Sequence, residues 1–254
     1  DAEYHTPGSE ITGQDPAKSE RIITIDRLLI SHVFIDDLDD AMAHFDVRGK
    51  LAGKMGIKLA QTFDNHIQRE LVSAASGSAT ITGEDGGYTS NNGDLDSATA
   101  ATRLDAWLTE LSDLAQNFDD KFVVGEKYVF IKPEARYFIV RAAATEGYHI
   151  IDSAWGGQGS IAEGTFPRIF NMNIVPVPTL VTADYSGETF HAVDCSNTEA
   201  IGFTEDAVGT VKLMDLSLQS EWDIRRQGTL MVGRYAMGHG ILQPECAGQI
   251  TDNT

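Results

Sequence analysis

The sequence is short of positive charge, cysteine and long apolar runs, and each shortage removes a class of function. Lysine and arginine number 19 against 38 aspartates and glutamates, a formal net charge of -19. A nucleic-acid reader needs a basic footprint to neutralise phosphates, so that role is argued against. A wall that encloses nucleic acid and repels it is not. Two cysteines occur, Cys195 and Cys246, and neither sits in a CxxC pair. That argues against a disulfide framework or a zinc site and suits a reducing cytosol. No apolar run reaches the roughly 18 residues of a membrane span. The chain opens on Asp1, with neither an initiator Met nor a signal-peptide pattern. Its first residues are polar and carry Pro7, Gly8, Gly13 and Pro16, so they read as an extended loop belonging to a processed or longer chain.

What is present begins with a core. Hydrophobic residues make up 42% of 254, which argues against global disorder and allows one or two domains. The organising stretch is Ala41 to Ser76, read as one long helix. Leu51, Met55, Leu59, Phe63, Ile67 and Leu71 recur every fourth residue along it. A helix turns once per 3.6 residues, so this stripe winds round the rod and cannot bury itself against one flat neighbour. Gly49, Gly53 and Gly56 each cost about 1 kcal/mol relative to Ala. Lys50, Lys54 and Lys58 stack like charges four apart. A long helix that is weak alone needs partners around it, which points towards assembly.

Other elements follow from pattern. Ile22–Ile25 and Leu28–Ile35 read as strands or one hairpin arm. Gly83–Gly87 and Asn91–Gly93 read as a loop between two lobes. A second helix is capped by Asp94, Asp96 or Ser97 and presents Leu104, Leu108, Leu111, Ala115 and Phe118 on one face. Tyr128–Ile131 is a short buried strand, Pro133 opens another helix, and 168–177 is a further strand. Thr179 to Glu199 reads as a connection or hairpin. Val211 and Leu213 alternate in one parity, Leu216 and Leu218 in the other, which predicts a bulge or a strong bend. Gln227 to Met237 is the antiparallel partner, and Gly238-His239-Gly240 breaks it in a tight turn with no metal partner in view.

Three patterns invite chemistry, and the plainer reading is preferred for each. Asp36, Asp37, Asp39 and Asp40 lack calcium-loop spacing and fit a helix start, where carboxylates offset the dipole. Gly156-Gly157-Gln158-Gly159 lacks the Lys-Ser/Thr pair of a phosphate loop and reads as a flexible loop. His191 and Cys195 sit four apart, but a nucleophile needs a spatial base and a third orienting group. No convergent catalytic set is visible, so no enzyme and no cofactor is expected.

Several strings then resemble one family. Ala207–Leu213, Tyr235-Ala236-Met237-Gly238-His239-Gly240, Pro244-Glu245 and Ala247-Gly248 resemble the C-terminal end of the major capsid protein of T-seven-like short-tailed bacteriophages. Asp40-Ala41-Met42 with His44–Arg48 is a second match. Ile23–Asp26 with Leu28-Leu29 is a third, and Gly159-Ser160-Ile161 a weaker fourth. The matches are collinear and run nearly end to end.

The resemblance implies an α+β chain with the Hong Kong 97-type capsid fold. Residues 1–30 would be part of the extended loop. A peripheral domain of 31–94 and 207–238 would hold the spine helix and a β hairpin. An axial domain of mixed α/β structure would comprise 95–206 and 239–254, with Gly156–Gly164 near the capsomer axis. Family members carry further residues before this point, forming an N-terminal arm. The implied function is structural: hexamers and pentamers closing into an icosahedral shell round double-stranded DNA, with no lysine–asparagine crosslink. Implied partners are other copies, a scaffolding protein, a portal protein at one vertex and a decoration protein; no membrane is involved. The implied location is the virion, after assembly in the host cytoplasm. An encapsulin-like compartment is the alternative. Gly49, Gly53 and Gly56 would let the spine helix bend. Lys50, Lys54 and Lys58 are either a solvated face or a contact with an acidic extended loop of a neighbour.

Overall fold

A computed structural model describes residues 4–5, 7–8, 10, 13, 19–42, 46–81, 84–146 and 168–252. In chain order the elements are β1 (Leu29–Asp36), α1 (Asp37–Met42), α2 (Val47–Ala75), β2 (Tyr88–Asn91), α3 (Ala100–Asp120), β3 (Tyr128–Ile131) and α4 (Pro133–Glu146). Then come β4 (Arg168–Ile169), β5 (Met172–Pro176), β6 (Thr198–Phe203), β7 (Val208–Asp223), β8 (Gly228–Ile241) and β9 (Ala247–Thr251). The loop Gly156–Gly164, and with it the fourth family match, lies outside the described residues.

Two sheets share one helix. The first is three-stranded and antiparallel, in the order β1-β8-β7. The second is six-stranded and mixed, in the order β2-β9-β6-β3-β5-β4. Helix α2 has 29 residues and spans about 43 Å. Its winding stripe does what a four-residue repeat dictates. Near the N-terminal end Met55 packs with Ile35 and Met231 of the first sheet, against which Leu51 and Val33 also lie. Near the C-terminal end Leu71 and Val72 pack with Ile201, Ala207 and Ala247 around the second sheet. The remaining core joins α3 and α4 to β3 and β5 through Leu104, Trp107, Leu111, Phe118, Ile139 and Met172.

The expected single helix from Ala41 is corrected. Asp37, Asp39 and Asp40 occupy the first turn of the separate short helix α1, and Asp36 Oδ1 accepts the Leu38 N–H at 2.9 Å. The long helix begins only at Val47. Asp46, extended at φ −67° and ψ 96°, caps it by accepting the Gly49 N–H at 2.9 Å. The acidic run therefore does start a helix, but not the long one.

Other boundaries move for local reasons. Residues 22–25 form no strand, although Asp26 N–H donates to the Met237 carbonyl at 3.1 Å. Stretch 168–177 is two strands, because Phe170 and Asn171 adopt positive φ of 48° and 62° in a tight turn. Helix α3 is entered from Thr99, which makes no side-chain cap bond, rather than from Asp94, Asp96 or Ser97. Tyr88–Asn91, read as loop, is a strand parallel to β9.

The bulge is present. Register between β7 and β8 slips between Lys212 and Met214 and again between Met214 and Ser217. The expected turn at His239 is absent, and β8 runs on to Ile241. Its glycines serve close approach instead: a Cβ on Gly238 would stand 2.2 Å from the Thr24 carbonyl oxygen, and one on Gly240 2.9 Å from Ile23 Cγ1. The segment before β1 lies directly across them.

Candidate functional site

Helix α2 carries the glycines and lysines singled out in the sequence, and its two halves behave differently. In the C-terminal half three consecutive side chains hold the connection 178–197. Buried Gln68 accepts the Val181 N–H at 3.0 Å. The Arg69 guanidinium lies 3.5 Å from the centre of the Tyr185 ring. Glu70 Oε1 lies 2.6 Å from His191 Nδ1, while His191 Nε2 lies 2.7 Å from Asp26 Oδ2. Burial lowers the affinity of His191 for its proton, but hydrogen bonds to Glu70 and Asp26 outweigh it and the net shift is upward.

That geometry removes the His191–Cys195 catalytic reading. Both imidazole nitrogens are taken by carboxylates, and Cys195 is fully buried. Burial pushes its thiol up to about 11, so the nucleophilic thiolate is scarce near neutrality. His239 is likewise no turn residue. It is 7% exposed, its Nδ1 lies 2.9 Å from Thr210 Oγ1, and its ring lies 5.0 Å from that of Phe63. The sequence did not signal this cluster, because its members come from five separate segments.

In the N-terminal half Lys50, Lys54 and Lys58 are exposed, and the last two make no ion pair among the described residues. Gly53 and Gly56 have open space where a Cβ would go. Gly49 differs from them. It stands in the first helical turn, and a Cβ there would meet Asp46 Oδ2 at 2.2 Å, so it serves the cap.

Large apolar side chains are left uncovered along the same end of the molecule. On β7, Val211, Leu213, Leu216, Leu218 and Trp222 are 42–65% exposed. Ile30 of β1, Leu38 and Met42 of α1 and Ile57 of α2 are 52–65% exposed. β7 is also a sheet edge of 16 residues, with one row of backbone groups unpaired by any strand among the described residues. A long edge rich in apolar side chains is a liability in a monomer and a template for other chains in an assembly.

A long helix shared by a hairpin sheet and a mixed α/β sheet, with such an edge left open, defines a shell-forming subunit of the Hong Kong 97-type capsid fold. Solved capsids share it. The mature capsid of bacteriophage PhiM1 matches with a TM-score of 0.72 at 17% identity, over 98% of this chain and 78% of that one. The virus-like particle of Pyrococcus furiosus matches with a TM-score of 0.54 at 16% identity, over 88% of this chain and 75% of that one.

The family model described as "Gp10A-like: Major capsid protein" matches residues 1–251, and the chain belongs to that family. It is 28% identical to the major capsid protein of Enterobacteria phage T3, over 98% of this chain and 78% of that protein. Identity to the major capsid protein of Escherichia phage T7 is 27%, with the same coverage. The capsid of cyanophage P-SCSP1u matches with a TM-score of 0.85 at 30% identity, over 99% of this chain and 80% of that one. The chain is thus a major capsid protein of a tailed phage, a component of the virion shell and not an enzyme.

Proposed function

We propose that copies of this chain close as hexamers and pentamers into an icosahedral shell around double-stranded DNA. The carrying observation is the open apolar edge of β7 on a chain that belongs to a capsid family from residue 1 to 251. Closed symmetry is what lets every such edge find a partner. The three-stranded sheet and the N-terminal half of α2 form the peripheral lobe in this reading. The six-stranded sheet with α3 and α4 forms the axial lobe. Lys50, Lys54 and Lys58 face an acidic loop of the neighbouring subunit, and Gly53 and Gly56 let α2 bend between a rounder precursor shell and the mature one. Assembly takes place in the host cytoplasm on a scaffolding protein, with a portal at one vertex and the outer surface open to a decoration protein. With a net charge of -19 the shell retains DNA by enclosure rather than affinity.

The encapsulin-like alternative has less support. The encapsulin of Synechococcus elongatus shares the fold with a TM-score of 0.54 at 9% identity, which bears on architecture alone. The test is to co-express the full-length gene with its scaffolding gene and examine the product by electron microscopy. Closed shells are expected; soluble monomers alone would overturn the reading.

A further inference from the structure

We propose that Asp26, His66 and His191 form a site for a divalent transition-metal ion of the zinc type, which pins the segment entering β1 to the spine helix. The three residues come from the extended run before β1, from α2 and from the connection 178–197. One ligating atom of each lies within 4.8 Å of the other two. Zinc holds nitrogen and oxygen ligands at about 2.0–2.2 Å, so its ligand atoms stand about 3.3–3.6 Å apart, and small side-chain rotations bring the three atoms to that spacing.

The surroundings are those of a metal histidine. Glu70 stands 2.6 Å from His191 Nδ1. When His191 carries a single proton, on the Nδ1 that donates to that carboxylate, its Nε2 lone pair faces Asp26, 2.7 Å away. A carboxylate behind a metal-binding imidazole orients the ring and raises its basicity. Without a cation between them, a lone pair and a carboxylate oxygen at that distance repel. The pair needs either a metal or a second proton on His191.

His66 supplies the second imidazole. Its ring centre is 4.7 Å from that of His191, and its nitrogens have no hydrogen-bond partner among the described residues. Burial and the neighbouring His191 lower its pKa to about 4, so the ring is neutral and its lone pair is available. His191 itself adopts φ 52°, a backbone conformation rare outside glycine, which the contacts of its ring with Glu70 and Asp26 help to sustain. A cavity of about 180 Å³ is lined in part by two of the three residues, Asp26 and His66, together with Tyr235 and His239, and gives room for a water as fourth ligand. Two imidazoles and one carboxylate suit zinc, cobalt or nickel, whereas calcium and magnesium take oxygen ligands. The scarcity of cysteine argued against zinc in the sequence; this set uses none.

The test uses the full-length protein, as subunits or shells, stripped with chelator, equilibrated with micromolar zinc chloride and desalted. Elemental analysis is expected to find about one zinc per chain, the stoichiometry of a single site. His66→Ala should reduce it at least about tenfold, as loss of a ligand does. His32→Ala, an exposed histidine on β1, should leave it unchanged. Cobalt-loaded wild type should show the visible absorption of a four-coordinate nitrogen–oxygen site, a readout that needs no variant to fold. Wild type that retains no zinc and shows no such absorption overturns the proposal, as does equal loading in His66→Ala. Either result leaves His191 as an imidazolium held between Asp26 and Glu70.

Discussion

Gly202 of β6 and Gly248 of β9 lie directly opposite one another, and together they seat Leu114 of α3. A Cβ on Gly202 would stand 2.6 Å from Leu114 Cδ2, and one on Gly248 2.4 Å from Leu114 Cδ1. Helix α3 therefore approaches the sheet where two strands both lack side chains. Gly248→Ala should destabilise the subunit by about 1–3 kcal/mol, the usual cost of overpacking a core. The urea midpoint of soluble subunits measures it, and adding Leu114→Ala should recover part of the loss. An unchanged midpoint in the single variant would show that α3 can retreat freely.

The glycines of α2 divide into two kinds. Gly53→Ala with Gly56→Ala meets open space and should stabilise the helix by about 1 kcal/mol per site. Gly49→Ala collides with the Asp46 carboxylate and should instead lose about 1 kcal/mol with the cap. Opposite shifts in the thermal midpoint of subunits check this. If the two mid-helix glycines permit bending, their double variant should also stall conversion of precursor shells, seen by imaging both particle forms. Normal conversion with an unchanged helix curve would remove the bending role.

Lys54→Glu should lower the yield of shells several-fold while leaving the folded subunit intact. The side chain is exposed and has no ion pair among the described residues, so a surface change there alters stability little. Loss of assembly without loss of folding would identify a contact with an acidic neighbour. Normal yield would mark a solvated face.

Both thiols should resist alkylation at pH 8. Burial raises the Cys195 pKa to about 11 and moves that of Cys246 upward as well. A raised pKa keeps the thiol protonated throughout the range below it, so reactivity appears only as pH climbs towards that value or as the chain unfolds. Iodoacetamide labelling followed by mass spectrometry should show little modification until denaturant is added. Rapid labelling of native subunits would contradict the burial.

Elements with strong periodicity were legible in the sequence, and those fixed by distant partners were not. Leu104, Leu111 and Phe118 marked the face of α3, Tyr128–Ile131 was found to the residue, and the parity switch in β7 foretold its bulges. β2 escaped because Tyr-Thr-Ser-Asn has no apolar alternation; pairing to β9 makes it a strand. His239 was misread because glycines on both sides resemble a break. They are small because residues 23–25 cross them, which only the folded chain reveals. The clamp of His191 by Glu70 and Asp26 joins residues far apart in sequence, so local pattern carries no trace of it.

β9 is made late but sits inside its sheet, between β2 and β6. A growing chain emerges from the ribosome in order, so β2, α3 and β6 all wait with an unfilled slot until residues 247–251 appear. Until then the six-stranded sheet lacks the strand that joins its first member to the rest. Completion of that sheet, and of any subunit contact that depends on it, therefore has to follow the making of residues 247–251.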